Sequence, residues 1–432
     1  MLEIFVMLAF IAVLMGCVAM DISVVYALVV GYFIFFLYGV KQGHGPKKVF
    51  MMSVSGVKTV KNLLITFLLI GMVTGLWRAA GTIPMIICYA SKLINPAAFI
   101  LIAFFLNALV SVLIGNSFGT VATMGVVCMT MARAMGINEI YVGGAIISGI
   151  FFGDRCSPVS TSALLVSELT KTDLYENIKG MIKTAMVPTI LTCVIYLALG
   201  MVSGGSGEIM NMESLFERGF VLHPALVLPA VSVLVLAGFK VKVKQTLAVS
   251  IVLAAVLGVV IQGIAPAEIL KIMLFGFEAA DPELSAMMNG GGVSSMVRTA
   301  VIVGLSSSFS GIFEGTGLLI SLKKYVAGIS KKATPFGATM LVSVVTAMVS
   351  CNQTLATILT HQLCHDTEPD KKEMAMYLEN TVIVMAPLVP WSIAGAVPLA
   401  TIAAPTASLL LACYLYLVPI WNLIVNVGKA NR

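Results

Sequence analysis

The sequence predicts an all-α polytopic membrane protein of about ten to twelve membrane segments, built from inverted-topology repeats with discontinuous helices and re-entrant hairpins. Three observations carry this. Of 432 residues, 59% are hydrophobic and only 11% charged, with a mean hydropathy of +1.02; soluble domains carry about 25% charged residues. Several apolar stretches are interrupted by glycine, proline and hydroxyl residues. Irregular backbone survives at membrane depth only where protein or a water-filled cavity surrounds it. Finally, the interruptions recur in the same order in the two halves of the chain.

A spanning helix needs about 20 apolar residues. Stretches 3–20 and 22–40 qualify and meet at Asp21. Stretch 41–61 holds five lysines together with Gly43, Gly45 and Pro46, and its second half fits an amphipathic helix on the membrane surface. Segment 62–93 is interrupted around 75–81 and carries Arg78. Segment 96–133 is too long for one span and is interrupted at Asn116, Ser117, Gly119 and Thr120. Segment 140–169 is interrupted by Asp154, Arg155, Ser157, Pro158, Ser160, Thr161 and Ser162. Segments 184–203, 222–238 and 245–264 follow, then a linker at 265–291.

A second series begins at 292. Segment 292–330 is interrupted near 306–317 and carries Glu314. Segment 334–364 is interrupted by Ser350, Asn352, Gln353 and Thr354. Segment 376–405 is interrupted by Pro387 and Pro390, and a final helix spans 406–427. The chain thus divides into N-terminal helices and a basic loop (1–61), a first repeat (62–203), connecting helices (204–291) and a second repeat with the final helix (292–432).

The two series are in register. A shift of 236 positions carries Gly75 onto Gly311, Gly81 onto Gly317 and Asn116 onto Asn352. With a small gap, Asp154 to Pro158 falls on Ala386 to Pro390. If 41–61 is cytoplasmic, and 140–169 and 376–405 each enter and leave on one face, eighteen lysines and arginines fall inside and five outside. That bias agrees with the positive-inside rule. Both termini are then cytoplasmic and the halves have opposite topology, the architecture on which many carriers build alternating access.

Other classes are disfavoured. The eight cysteines form no CxxC pair, so neither a disulfide framework nor an iron–sulfur site is expected. No GxxxxGK[ST] loop is present for direct ATP drive. The basic residues form no aromatic-interleaved patch, so no nucleic acid partner is expected. The N-terminal stretch lacks a basic n-region, and the first apolar segment is expected to be retained. No enzymatic activity and no cofactor are expected. His361 and His365 lie at i, i+4 spacing, but beside Asp366, Glu368 and Asp370 they read as a solvated helix end.

The buried polar residues define the candidate site. A carboxylate at bilayer depth has a strong need for a cation or a proton, which makes Asp154 the leading ion carrier and a hypothetical sodium ligand. Ser157, Ser160, Thr161 and Ser162 offer neutral oxygens. Asn116, Ser117 and Thr120, with Asn352, Gln353 and Thr354, place amides and hydroxyls at two matching breaks. Arg78 and Glu314 occupy matching positions and either pair across the pseudo-twofold axis or meet a substrate. Arg155 either pairs with Asp154 or assists a substrate. Glu379 and Asn380 lie in the last broken segment, where the glutamate is a candidate second proton carrier.

The run Gly153-Asp154-Arg155-Cys156-Ser157-Pro158-Val159-Ser160, followed by Thr172-Asp173-Leu174, resembles the signature of the NhaC family of sodium:proton antiporters. The resemblance extends over Ser117 to Thr123 and from Leu378 to Trp391. It implies a secondary transporter of a bacterial-type inner membrane, surrounded by lipid and with homodimerisation possible. Sodium ions and protons would be exchanged at Asp154, and Ser157, Asn116, Ser117, Thr120 and Glu379 match the family's site positions. Two departures stand out. The family pattern often places an aspartate after the second serine, where this chain has Thr161 and Ser162. It often has Glu-Asp-Ser where this chain has Glu379-Asn380-Thr381. Losing two acidic groups raises an alternative, a sodium- or proton-coupled carrier or exchanger of an amino acid or small carboxylate.

Overall fold

The computed structural model describes the chain except for residues 1, 21, 92–94, 159, 203–211, 240, 319–333, 369 and 431–432. The point Asp21, the lysines at 92, 240, 323, 324, 331 and 332, Arg432 and the second half of segment 292–330 therefore lie outside the described residues. The described chain is all helical apart from loops and one isolated bridge, Phe277 to Gly290. Among the described residues, three helices are long and apolar enough to cross a membrane by themselves: Pro96–Ile114, Leu174–Val202 and Gly292–Thr316. Two bent pairs raise this to five, and shorter apolar helices such as Lys244–Val260 accompany them. The protein is a multi-pass membrane protein of all-α class.

Leu2–Ala19 and Val24–Lys41 form as expected. The basic stretch contains the helix Pro46–Thr59, which does not lie free on a surface. It packs along Gly292–Thr316, and the two helices approach so closely at Gly56 and Gly311 that a β-carbon on either would collide with backbone of the other. Small residues permit such approach between membrane helices.

The expected interruptions exist, with sharper edges. Lys61–Ala79 runs unbroken through Gly75 and stops at Gly81, φ +83°. Gly292–Thr316 runs unbroken through Ser306 and stops at Gly317, φ +67°. Phe99–Ile114 ends at Gly115, φ +65°, and Pro335–Ser350 ends at Cys351, φ +53°. Both pairs of left-handed residues are 236 positions apart.

Two reversals of the chain fall outside the segments 140–169 and 376–405. The chain turns back on itself at residues 115–116 and 351–352. Thr346 and Thr360 hydroxyls meet at 2.7 Å across the second turn. Asn107 Nδ2 reaches Cys128 Sγ at 3.5 Å across the first. Two helical hairpins result, with tips at Asn116 and Asn352. Lys371–Leu388 and Ile393–Thr401 differ in direction by 52°, the bend of a broken span or of a re-entrant loop. A left-handed residue followed by an asparagine cap marks each reversal, Gly115 with Asn116 and Cys351 with Asn352, whereas Pro390 removes a backbone donor.

Candidate functional site

The helix Glu139–Cys156 carries Asp154 and Arg155 near its end. Gly149 and Gly153 press its backbone against Phe99–Ile114, where added β-carbons would strike the carbonyls of Phe104 and Ala108. Ser111 Oγ donates to the Ile150 carbonyl at 2.6 Å and Ser157 Oγ to the Val112 carbonyl at 2.7 Å. The broken helix is thus locked onto the first arm of the first hairpin.

Pro158 sets the break. Its ring disfavours helical torsions in the preceding residue, and Ser157 is extended, φ −88°, ψ 133°. A new helix, Thr161–Thr170, starts after Ser160, whose hydroxyl caps it by accepting from the Ser162 and Ala163 amides. The same hydroxyl donates to Asp154 Oδ1 at 3.1 Å, and Ser162 Oγ donates to Oδ2 at 3.3 Å. Asp154 is only 5% exposed. The carboxylate therefore faces the N-terminus of a helix and two hydroxyls, an environment that favours negative charge. A hydroxyl both donates and accepts. Rotating the two hydroxyls turns this cradle from one that satisfies a bare carboxylate into one that presents oxygen lone pairs to a hard cation. Thr161 is exposed and makes no hydrogen bond to Asp154, so Ser160 and Ser162 are its partners.

Arg155 points elsewhere. Its Nε donates to the Glu379 carbonyl at 3.1 Å, Nη1 to the Tyr414 hydroxyl at 2.9 Å, and Nη2 to Thr184 Oγ1 at 3.2 Å and to Asn380 Oδ1. Thr184 Oγ1 also donates to Asn380 Oδ1 at 3.0 Å. Arg155 is fully buried and ties the first broken helix to three distant helices. No bond joins it to the adjacent Asp154. The Glu379 side chain is also fully buried, and neither carboxylate oxygen has a hydrogen-bond partner among the described residues.

Asn116 and Asn352 act alike. Each is extended, φ −153° and −145°, and each side-chain oxygen accepts from the two amides that start the next helix. Thr120 Oγ1 donates to the Asn116 carbonyl at 3.0 Å, and Ser117 is buried beside it. Gln353 Nε2 donates to the Ile383 carbonyl at 2.8 Å, while Thr354 is exposed and gives its amide to Asn352. Trp391 Nε1 donates to the Met348 carbonyl and the Ile393 amide to the Cys351 carbonyl, so the second hairpin tip is locked onto the second broken helix.

The halves interleave. Thr161–Thr170 packs against Gln353–Cys364 and Lys371–Asn380, and Ile393–Thr401 packs against Ser117–Thr120 and Glu139–Cys156. Ser392 caps its helix with φ −70°, ψ 143°, close to Ser160 at φ −71°, ψ 137° and 232 positions later. Lys171 and Ala403, also 232 apart, are both left-handed. Sequence reading missed Ser392, although the alignment of Pro158 with Pro390 points to it. Tyr414 and Thr184, the partners of Arg155, carry no local signal at all.

The expected pairing of Arg78 with Glu314 does not form. Arg78 Nη1 donates to the carbonyls of Met288 and Asn289, while Glu314 is exposed and lines a cavity of about 680 Å³ shared with His361 and His365. Their equivalent sequence positions put them at the ends of antiparallel helices, too far apart to meet. The His361 and His365 rings lie 5.7 Å apart, and no group of three His, Cys, Asp or Glu suited to a metal occurs among the described residues.

The chain is 28% identical to the malate-2H+/Na+-lactate antiporter of Bacillus subtilis, covering 97% of this chain and 90% of that protein. It is 26% identical to the Na+/H+ antiporter NhaC of Bacillus subtilis over 87% of this chain and 86% of that one. It is 26% identical to the arginine/ornithine antiporter ArcD of Halobacterium salinarum over 83% and 76%. Residues 149–427, from Gly149 at the broken helix into the final helix, match the Na+/H+ antiporter family, and the chain belongs to that family.

Proposed function

We propose that the protein exchanges sodium ions for protons, with Asp154 as the shared site and two inverted repeats rocking about it. The observation that carries this is the buried Asp154 carboxylate, held by Ser160 and Ser162 and not neutralised by Arg155. A charge so placed is stabilised by a bound cation or a proton, and one site cannot hold both. Family membership supports the same reading.

The repeats would comprise 62–203 and 292–432. Their support is the matched left-handed residues, asparagine caps and serine caps described above. Alternating access would move the two hairpins relative to the broken helices, and the site would be asymmetric because Ala386 stands opposite Asp154. Reassigning the fold-backs to the hairpins at 96–134 and 335–364 moves Arg133 outside and Lys371 and Lys372 inside. The basic residues then divide nineteen inside against four outside, a stronger bias than the first assignment gives. The membrane would be a bacterial-type inner membrane, with both termini cytoplasmic.

A second reading is cation-coupled exchange of a small carboxylate or amino acid. It is favoured by relatives named for lactate, malate, arginine and ornithine exchange. Against it, Arg155 is occupied by four acceptors and is closed to a substrate carboxylate; Arg78 gives only Nη1 to two carbonyls, and its buried Nε has no partner among the described residues. Reconstitution in liposomes with an internal pH dye separates the two. Sodium alone should drive proton movement; a response that waits for an added carboxylate or amino acid overturns the first reading.

A further inference from the structure

We propose that a groove between Pro46–Thr59, the start of Lys61–Ala79 and the middle of Gly292–Thr316 holds an anionic phospholipid, its acyl chain in the groove and its phosphate between Lys58 and Lys61. The groove encloses about 480 Å³ and is lined by apolar side chains, among them Phe50, Val57 and Leu305, with the two lysines at its rim. It lies where the chain bends by 46° between residues 46–59 and 64–79.

Lys58 and Lys61 are both exposed, and neither makes a side-chain hydrogen bond or ion pair with another described residue. Lys244 adds a third positive charge next to them, held by its bond to Asn62 Oδ1 at 2.8 Å. Gly304 lies on the groove floor, where a β-carbon would meet nothing within 4 Å. The combination selects the occupant. A soluble anion gains from the lysines but nothing from the apolar channel. A neutral lipid fills the channel but leaves the lysines unpaired. A lipid with a phosphate and no compensating amine satisfies both.

The test uses the full chain in nanodiscs of equal phosphatidylglycerol and phosphatidylcholine, with retained lipids read by native mass spectrometry. The parent protein should keep phosphatidylglycerol preferentially. Lys58→Gln or Lys61→Gln should each weaken that retention about five-fold, and the double change about twenty-fold or more. Lys47→Gln, on the same helix but away from the groove, should leave it unchanged. Gly304→Leu fills the floor, keeps both lysines and should also lose the lipid; it suits a helix better than glycine does, so the fold should be retained. Equal retention of the two lipids by the parent protein overturns the proposal. So does parent-level phosphatidylglycerol retention by either the double lysine variant or Gly304→Leu.

Discussion

Asp154 and Arg155 are adjacent in sequence but belong to different networks: the carboxylate turns to Ser160 and Ser162, and the guanidinium turns to Glu379, Asn380, Thr184 and Tyr414. Successive helical residues point about 100° apart, so the separation follows from the helix continuing through Cys156. An internal ion pair would have silenced the carboxylate. Instead Asp154→Asn should abolish sodium-driven proton flux while leaving the protein folded, and unchanged flux would remove Asp154 from the site. Ser160→Ala and Ser162→Ala should each raise the sodium KM by roughly 5- to 30-fold, since each removes one hydroxyl worth about 1–2 kcal/mol. Ser160→Ala should also lower stability, because it deletes a helix cap.

Competition at one carboxylate fixes the sign of the pH dependence. At low pH a proton occupies Asp154 and must be displaced, so the apparent sodium KM rises by up to about tenfold per unit of falling pH. As pH rises the carboxylate ionises, KM falls and then levels. Sodium KM measured from pH 6 to 9 in proteoliposomes checks this, and a KM independent of pH contradicts a shared site.

Arg155 is predicted to be structural in effect. Removing it leaves the Glu379 carbonyl and the Tyr414 hydroxyl without this donor, Asn380 Oδ1 with Thr184 alone, and Glu379 without a nearby positive charge. Arg155→Ala should cost about 3–5 kcal/mol, the range for breaking a buried charged network. Arg155→Lys should recover part of this, since an ammonium cannot reproduce the fork geometry. Tm in detergent and the yield of monodisperse protein report the ranking.

Among the described residues, the buried Glu379 side chain has no partner for either oxygen, a costly arrangement if charged. Glu379→Gln should therefore preserve or raise Tm. If Glu379 carries a second proton, the same variant should lower the number of protons moved per sodium ion without losing exchange. Reversal potentials measured at set sodium and proton gradients separate that outcome from an unchanged ratio.

How far the site was legible depended on distance along the chain. The Asp154–Ser160 relation was readable because a proline and a run of hydroxyls sit within a few residues of a carboxylate. The shift of 236 was readable because Gly81, Asn116 and their partners retain the residue types that left-handed turns and helix caps require. The partners of Arg155 were not readable, because Glu379 and Tyr414 lie more than 200 positions away. The reversals at 115–116 and 351–352 were not readable for another reason. A break in an apolar stretch shows that a helix stops, but the angle at which the chain resumes is set by packing. Only contacts such as Thr346 with Thr360 fix it.

The two hairpin tips give matched stability predictions. Asn116→Ala and Asn352→Ala each remove a cap and should cost about 1 kcal/mol, with Asp or Ser at either position recovering most of it. At the residue before each cap the consequences are opposite. Gly115→Ala forces a side chain into left-handed backbone and should destabilise by about 1 kcal/mol, whereas Cys351→Gly relieves that strain and should be neutral or stabilising. Thermal unfolding of the four variants tests whether the tips are equivalent.

The orientation can be tested at two exposed lysines. With fold-backs at the hairpins, the loop before Lys371 lies inside and the helix Pro266–Phe275, which carries Lys271, lies outside. Lys271→Cys should react with a membrane-impermeant maleimide added to intact cells, and Lys371→Cys should react only after the membrane is opened, each above the labelling of the parent chain. Both positions are solvated and neither is buried in the core, so the substitutions should not disturb the fold. If instead 376–405 entered and left on one face as the sequence first suggested, Lys371 would lie outside and label in intact cells. That result would move the reversal from the asparagine tip at 352 to the proline break at 390.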